Sequence, residues 1–192
     1  MRFEKCAFLI KDFNSVCVTG KMASGKNFIC SKFEKDGWFC VDADLLVHEA
    51  IDEAAPIINE TFGKIAQKKN IRILTNDGKI DRRELGKILF SSPELLKKQE
   101  DIVYPVITKM VEKIITEHKK VILNATVLYK TPELLDMCEA IVFVKSNFVT
   151  RFFRARHRDR LSFKQIFKRF HSQKNLKKMY EKANLPLFVV NN

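Results

Sequence analysis

Short, nearly continuous apolar runs alternate with longer stretches of helical periodicity along most of this chain. Five of the runs read as strands: Ser15–Thr19, Trp38–Val41, Lys120–Asn124, Ala140–Val144 and Leu187–Val190. None alternates apolar with polar residues, as expected of parallel strands covered on both faces. Between them lie helical patterns. Lys26–Asp36 carries Phe28, Ile29 and Phe33, with Gly37 placed as a C-cap. Ser92-Pro93 supplies a cap followed by proline at the first helical position, and the pattern it opens runs toward His118, with Tyr104-Pro105 inside it marking a kink. Ser162 is placed to cap a helix containing Phe163, Ile166, Phe167 and Phe170. Alternating strands and helices predict an α/β fold of three layers around a five-stranded parallel sheet.

The strands are unevenly spaced. No strand of the main sheet is legible between Asp44 and Lys119, so a mostly helical insertion is expected over 51–118, with Asn76-Asp77-Gly78 as a turn inside it. The core then occupies about 13–50, 119–150 and 184–192, and a basic segment with its following helix spans 151–183, all within one domain. With 46% hydrophobic and 30% charged residues the chain belongs among globular proteins. It has no apolar run of membrane-spanning length and no secretory h-region after Met1-Arg2-Phe3-Glu4-Lys5, so neither a membrane partner nor a signal peptide is expected. Five cysteines without a C-x-x-C pair suit buried thiols in a reducing cytoplasm, not a zinc site or a disulfide framework. The net charge of +12 fits a polyanionic partner without choosing among nucleotide, nucleic acid and acidic surface.

The most informative residues follow the first strand. Gly20-Lys21-Met22-Ala23-Ser24-Gly25-Lys26-Asn27 is a phosphate-binding loop, G-x-x-x-x-G-K-[ST], with its last residue changed. Gly20 and Gly25 permit torsions and close approaches that a Cβ forbids. Successive N–H groups and the positive end of the next helix cradle phosphate oxygens, and Lys26 sets a point charge against the β- and γ-phosphates of a nucleotide. Asn27 stands where a hydroxyl normally binds Mg²⁺. Its amide oxygen is also a hard neutral ligand on a longer side chain, so weakened or displaced metal binding is expected.

Two further clusters carry chemistry. Asp42 and Asp44 end the second strand, where ligands of open parallel sheets bind. One carboxylate can deprotonate an acceptor hydroxyl while the other holds Mg²⁺ through water; alternatively one of them only caps the next helix. Arg151, Arg154, Arg156, Arg158 and Arg160 precede a basic helix through Lys168 and Arg169, and 151, 154 and 158 share a helical face. In a small-molecule kinase such a segment closes as a lid over the transferring phosphoryl group. The other readings are a solvated basic face and RNA stacking on the interleaved phenylalanines, whose helical spacing is more typical of core.

The order of these elements resembles the dephospho-CoA kinase family over nearly the whole chain. The family's G-L-T-G-G-I-G-S-G-K-[ST] opening is similar to Val18–Asn27, and its D-A-D is intact at Asp42-Ala43-Asp44. Its L-[DN]-R resembles Ile80-Asp81-Arg82 and its H-P-x-I resembles Tyr104-Pro105-Val106-Ile107. The lid arginine and R-D match Arg154 and Arg158-Asp159, R-x-x-x-x-Q resembles Lys168–Gln173, and the closing A-D-x-V-I-x-N is echoed by Ala183-Asn184 and Val189-Val190-Asn191. The chain departs at Asn27, at His48, at Tyr104 and over Asn124–Lys130, where the family has D-x-P-L-L-[FY]-E.

The resemblance implies a P-loop kinase of the nucleoside-monophosphate-kinase type that phosphorylates the ribose 3′-hydroxyl of dephospho-CoA with ATP and Mg²⁺. It places ATP against Gly20, Lys21, Met22, Ala23, Ser24, Gly25, Lys26, Asn27, Phe28, Arg158 and Asn191. Lys26, Asp42, Asp44 and Arg154 would be catalytic, with Asp44 as base and Asp42 as metal or hydroxyl partner, or the reverse. Asp44, Arg82 and Tyr104 would face the acceptor bound to the helical insertion, and Asn27 and Asp42 the metal. Nucleic acid is not the expected partner, and the pattern fixes no oligomeric state. Two alternatives remain at this point: a P-loop kinase with another small-molecule or nucleotide acceptor, and a catalytically weak nucleotide- or RNA-binding relative.

Overall fold

The computed structural model describes residues 1–159 and 162–192, so Arg160 of the arginine cluster lies outside the described residues. In chain order the elements are α1 (Phe3–Ile10), β1 (Ser15–Gly20), α2 (Lys26–Lys35), β2 (Phe39–Asp42), α3 (Ala43–Glu53), α4 (Ala55–Lys68), α5 (Arg82–Leu89) and α6 (Pro93–Glu117). They continue with β3 (Val121–Asn124), a 3-10 turn at Leu128–Lys130, α7 (Pro132–Asp136), β4 (Ala140–Lys145), α8 (Phe148–Asp159), α9 (Phe163–Ser172), α10 (Leu176–Tyr180) and β5 (Leu187–Asn191). All five expected strands form, each within a residue or so of its apolar run.

The chain divides into two units, Met1–Ala43 with Lys113–Asn192, and Asp44–Glu112. In the first, the strands make one parallel sheet in the order β2-β3-β1-β4-β5. β1 is central and every residue of it is buried, which is why its run reads as continuously apolar. Val16, Val18, Ile122, Val142 and Val144 on the sheet pack with Ile29, Cys30 and Phe33 of α2 and with Trp38. The register sets Asp42 and Val18 on either side of Asn124, so β2 and β3 finish level and β1 runs two residues further, to Gly20. The phosphate loop leaves from that edge.

The sequence pattern did not reveal α1. Eight residues are too few for a stable isolated helix, and α1 is held by tertiary contact: Cys6 and Ile10 are fully buried in the sheet's core. The N-terminal ammonium donates to the Val189 carbonyl at 2.8 Å, and the Asn191 amide donates to the Met1 carbonyl at 3.0 Å.

The second unit, Asp44–Glu112, is built mainly of helices, where the sequence pattern sets a helical insertion at 51–118. Its buried side chains include Ala50, Ile58 and Phe62 from α3 and α4, and Leu85 and Ile88 from α5. The Asn76-Asp77-Gly78 turn closes a small antiparallel bridge between Leu74 and Ile80. Asp81 caps α5, accepting from the amides of Arg83 and Glu84 at 3.0 Å each. Ser162 caps α9 in the first unit through a reciprocal capping box with Gln165.

Candidate functional site

Backbone geometry explains the two glycines of the loop. A Cβ on Gly20, whose φ is +157°, would lie 2.5 Å from the Val144 carbonyl oxygen, and one on Gly25, at φ +92°, would lie 1.8 Å from Asn192 Nδ2. Ala23 is left-handed, at φ +59°, with a Cβ in place. That conformation costs about 1–2 kcal/mol for a residue other than glycine, so its surroundings must hold it. They do so through neighbouring backbone groups. The Met22 amide donates to Gln173 Oε1 at 2.6 Å, and Arg151 Nε donates to the Met22 carbonyl at 2.9 Å. The Ser24 carbonyl accepts from Asn192 Nδ2 at 2.8 Å and from Arg154 Nη1 at 3.4 Å. The first-turn amides of α2 have no acceptor within the helix and carry its positive end, which makes this edge of the sheet an anion cradle.

Lys26 opens α2 with its ammonium beside the cradle, donating to Thr126 Oγ1 at 2.9 Å and to the Gly20 carbonyl at 3.5 Å. The Thr126 segment is itself fixed. Its carbonyl accepts from Thr19 Oγ1 at 3.3 Å and from Tyr180 Oη at 3.2 Å, and that phenol in turn accepts from the Leu128 amide at 2.9 Å. Burial, then the neighbouring Cys17, pushes the Tyr180 phenol well above its ordinary range, so it serves as a neutral hydrogen-bonding post.

Asn27 is exposed and its Oδ1 accepts from Asn124 Nδ2 at 3.0 Å. Asn124 is only 7% exposed, and its Oδ1 is buried without a hydrogen-bond partner. With the half-buried Asp42 in register beside it, this corner gathers amide and carboxylate oxygens. Such donors suit a hard cation that keeps waters and phosphate oxygens as its other ligands. Among the described residues there is no cluster of three or more His, Cys, Asp or Glu able to hold a metal, so any ion here depends on this mixed set.

The remaining expected residues divide between the units. Phe28 is exposed in the first turn of α2, with Lys32 Nζ 5.1 Å from its ring centre. Arg154 and Arg158 are exposed on α8, whereas Arg151 is buried against Met22 and Phe170, its guanidinium 4.1 Å from that ring. Lys21 and Lys168 line one groove. Asn191 ends β5 with its side chain exposed. In the second unit, Asp44 lies exposed in the first turn of α3, Arg82 opens α5 at 3.9 Å from Asp52, and Tyr104 is half-buried on α6.

Several residues of the first unit that touch the loop were not singled out from the sequence: Thr126, Gln173, Asn192 and the pairing role of Asn124. All are uncharged, and each reaches its partner across roughly a hundred residues or more. The R-x-x-x-x-Q likeness was the one signal pointing to Gln173.

Comparison with known proteins agrees with the geometry. A family model described as dephospho-CoA kinase matches residues 14–192. A dephospho-CoA kinase of Treponema denticola is 33% identical over 181 residues, covering 91% of this chain and 80% of that protein. One from Treponema pallidum is 29% identical over 180 residues, covering 91% and 85% respectively. Among solved structures, a dephospho-CoA kinase from Campylobacter jejuni superposes with a TM-score of 0.69 at 24% identity, covering 93% of this chain and 88% of that one.

Proposed function

The chain belongs to the dephospho-CoA kinase family, and from that premise we propose how its own residues carry ATP-dependent phosphorylation of the dephospho-CoA ribose 3′-hydroxyl, the last step of coenzyme A synthesis. In this transfer a bond forms between the 3′-oxygen and the γ-phosphorus, the bond from that phosphorus to the β,γ-bridging oxygen breaks, and the hydroxyl proton leaves. Little covalent work falls to the protein, so positioning and charge stabilisation carry the catalysis.

The observation that supports this reading best is the fixed loop between Gly20 and Lys26, with the lysine held at Thr126 beside the helix terminus. On ATP binding, Lys26 exchanges a neutral hydroxyl for phosphate oxygens, a stronger, charge-assisted partner. Arg154 already touches the loop at the Ser24 carbonyl and, with Arg158 on the same helix, is placed to meet charge developing on the transferred group. Phe28 and Asn191 border the nucleotide, and Arg82 and Tyr104 are assigned to the acceptor. Asp44 is assigned as the base that takes the hydroxyl proton, with Asp42 as the metal-side carboxylate. Mg²⁺, held by Asn27, Asp42 and the unpartnered Asn124 Oδ1, would neutralise phosphate charge when bound.

The test is ATP turnover with dephospho-CoA, with the product identified by mass and Lys26→Ala run beside the wild-type chain. Gain of one phosphate on the 3′-hydroxyl, reduced at least a hundredfold by Lys26→Ala, is expected. Undiminished turnover in Lys26→Ala or Asp44→Asn would overturn the role given to that residue.

A further inference from the structure

A second concentration of positive charge lies behind the phosphate loop. A cavity of about 160 Å³ is lined by Lys21 and Ser24 of the loop, Lys145 at the end of β4 and Ser146 after it, Arg151 of α8 and Lys177 of α10. It shares Lys21 and Ser24 with the loop that receives ATP, whereas Lys26, Asn27, Asn124 and Thr126 do not line it. Its lining holds four cations and no carboxylate. Lys177 also pairs with Glu181 on its own helix, whereas among the described residues no carboxylate pairs with Lys21, Lys145 or Arg151.

Three of the lining residues each carry a polar atom buried without a hydrogen-bond partner: Ser24 Oγ, Ser146 Oγ and Arg151 Nη2. Ser24 is 1% exposed and Arg151 6%. A guanidinium so deeply buried is costly unless an anion meets it. Its Nε is spent on Met22 and its face on Phe170, which leaves Nη2 as the donor to be matched. The volume equals about five waters at ~30 Å³ each, enough for a tetrahedral oxyanion. Burial, followed by the charge of Arg151, holds the Lys21 ammonium below its ordinary range.

A larger groove of about 520 Å³ shares Lys21 and Arg151 with this cavity and is walled by the rings of Phe148, Phe167 and Phe170, with Lys168, His171 and Lys174 along it. Phe148 and Phe167 are about half exposed. An aromatic wall leading into a cationic hole is the complement of a phosphate ester with an aromatic or apolar body.

We propose that the two cavities form a second ligand site, which holds the phosphate of a phosphorylated small molecule among Lys21, Lys145, Arg151 and Lys177, with Ser24 and Ser146, and lays its body along Phe148, Phe167 and Phe170. The phosphate bridges the loop to α8 and α10, so its occupancy stiffens the cradle that receives ATP.

The site is tested by calorimetry on the full chain at low salt, with the phosphate loop saturated by Mg²⁺ and a non-hydrolysable ATP analogue. Inorganic phosphate and phenyl phosphate are the probes. One equivalent of phenyl phosphate is expected to bind at least tenfold more tightly than inorganic phosphate. The doubly substituted Lys145→Gln, Lys177→Gln chain should weaken both at least tenfold while turnover in phosphate-free buffer stays unchanged. Binding abolished by the ATP analogue, or unaltered by the double substitution, would overturn the site. Equal affinity for the two probes would overturn the aromatic half of it. Neither probe requires turnover of dephospho-CoA, so this outcome is read apart from the kinase reaction.

Discussion

The Asn27–Asn124 pair should behave as a unit, and a double-substitution cycle tests that. Asn27 Oδ1 and Asn124 Nδ2 are 3.0 Å apart, with Asn124 buried and Asn27 exposed. Asn27→Ser shortens the acceptor and strands the buried amide donor, which costs about 1–3 kcal/mol when its partner is removed. Asn124→Asp exchanges that donor for a buried carboxylate, which the exposed Asn27 can answer by turning its amide to present Nδ2, so the cost is that of the buried charge. With Lys26 nearby to offset part of the charge, its cost should be about 2 kcal/mol. Together the two substitutions set a hydroxyl donor opposite a carboxylate, and the charge-assisted bond should recover at least about 1 kcal/mol of the summed loss. Urea unfolding of the four chains gives the coupling directly. Mg²⁺ dependence of ATP binding, measured on the same chains, should strengthen most in the double variant, where a hydroxyl and a carboxylate replace two neutral amides. Stabilities that add within about 0.3 kcal/mol would refute the pairing. Unchanged Mg²⁺ dependence across all four would show that Asn27 never meets the metal.

Three other expectations follow from the packing. Gln173→Ala removes the acceptor of the Met22 amide, and should raise the KM for ATP several-fold more than it lowers kcat; an unchanged KM would show that the loop keeps its form without that bond. Iodoacetamide at pH 8 should label Cys40 alone in the folded protein, since Cys6, Cys17, Cys30 and Cys138 are buried, with the thiols of Cys6, Cys17 and Cys138 held protonated mainly by desolvation and that of Cys30 first by its hydrogen bond with Cys40 and then by desolvation; labelling of Cys17 in native protein, read by peptide mass, would contradict this. Burial raises the Cys6 thiol from 9.0 to about 11 and the Cys138 thiol to about 12. The native state therefore binds these protons more tightly than the unfolded chain, and their contribution is complete below pH 9 and lost as pH climbs through 11 to 12. Denaturation midpoints should fall between pH 8 and pH 10.5, and fall less in a Cys6→Ala, Cys138→Ala chain; an equal fall in both would assign the effect to other groups.

What the sequence made legible was whatever depends on the residue itself. A run such as Val16-Cys17-Val18 is apolar throughout because both faces of a central parallel strand are covered. Gly20 and Gly25 are visible because no other residue tolerates their torsions and contacts. Residues whose role lies in a distant partner were hidden. Asn124 reaches Asn27 across 97 positions, and nothing in its neighbours announces an amide pair. Arg151 and Arg154 share one helical face, yet one is buried beneath the Met22 carbonyl and the other is exposed at the Ser24 carbonyl, a difference set by what packs on α8. At the end of β5 the likeness marked Asn191 for the nucleotide and left unmarked its neighbour Asn192, whose side chain reaches the Ser24 carbonyl across 168 positions.

The phosphate loop is thus less a local motif than the meeting point of separate parts of the first unit. Its own residues supply a close turn, in which the Ser24 amide donates to the Lys21 carbonyl at 3.0 Å, and the reach of Lys26 to the Gly20 carbonyl. The left-handed Ala23 lies within that turn, flanked by Met22 and Ser24, and those two are held by Arg151, Arg154, Gln173 and Asn192, which arrive from α8, the end of α9 and the end of β5. Strain at one residue is tolerable because four side chains share the work of opposing it. The same contacts occupy the Met22 and Ser24 carbonyls, so two loop acceptors that would repel phosphate are already satisfied. The contacts from α8 and the end of α9 thus shape the cradle directly, and if that segment is the lid of the proposed kinase reaction it would also bring its arginines toward the transferring group. Substitutions in that segment should then change nucleotide affinity even where they never touch nucleotide, which makes the neutral residues of the clasp as informative to substitute as Lys26.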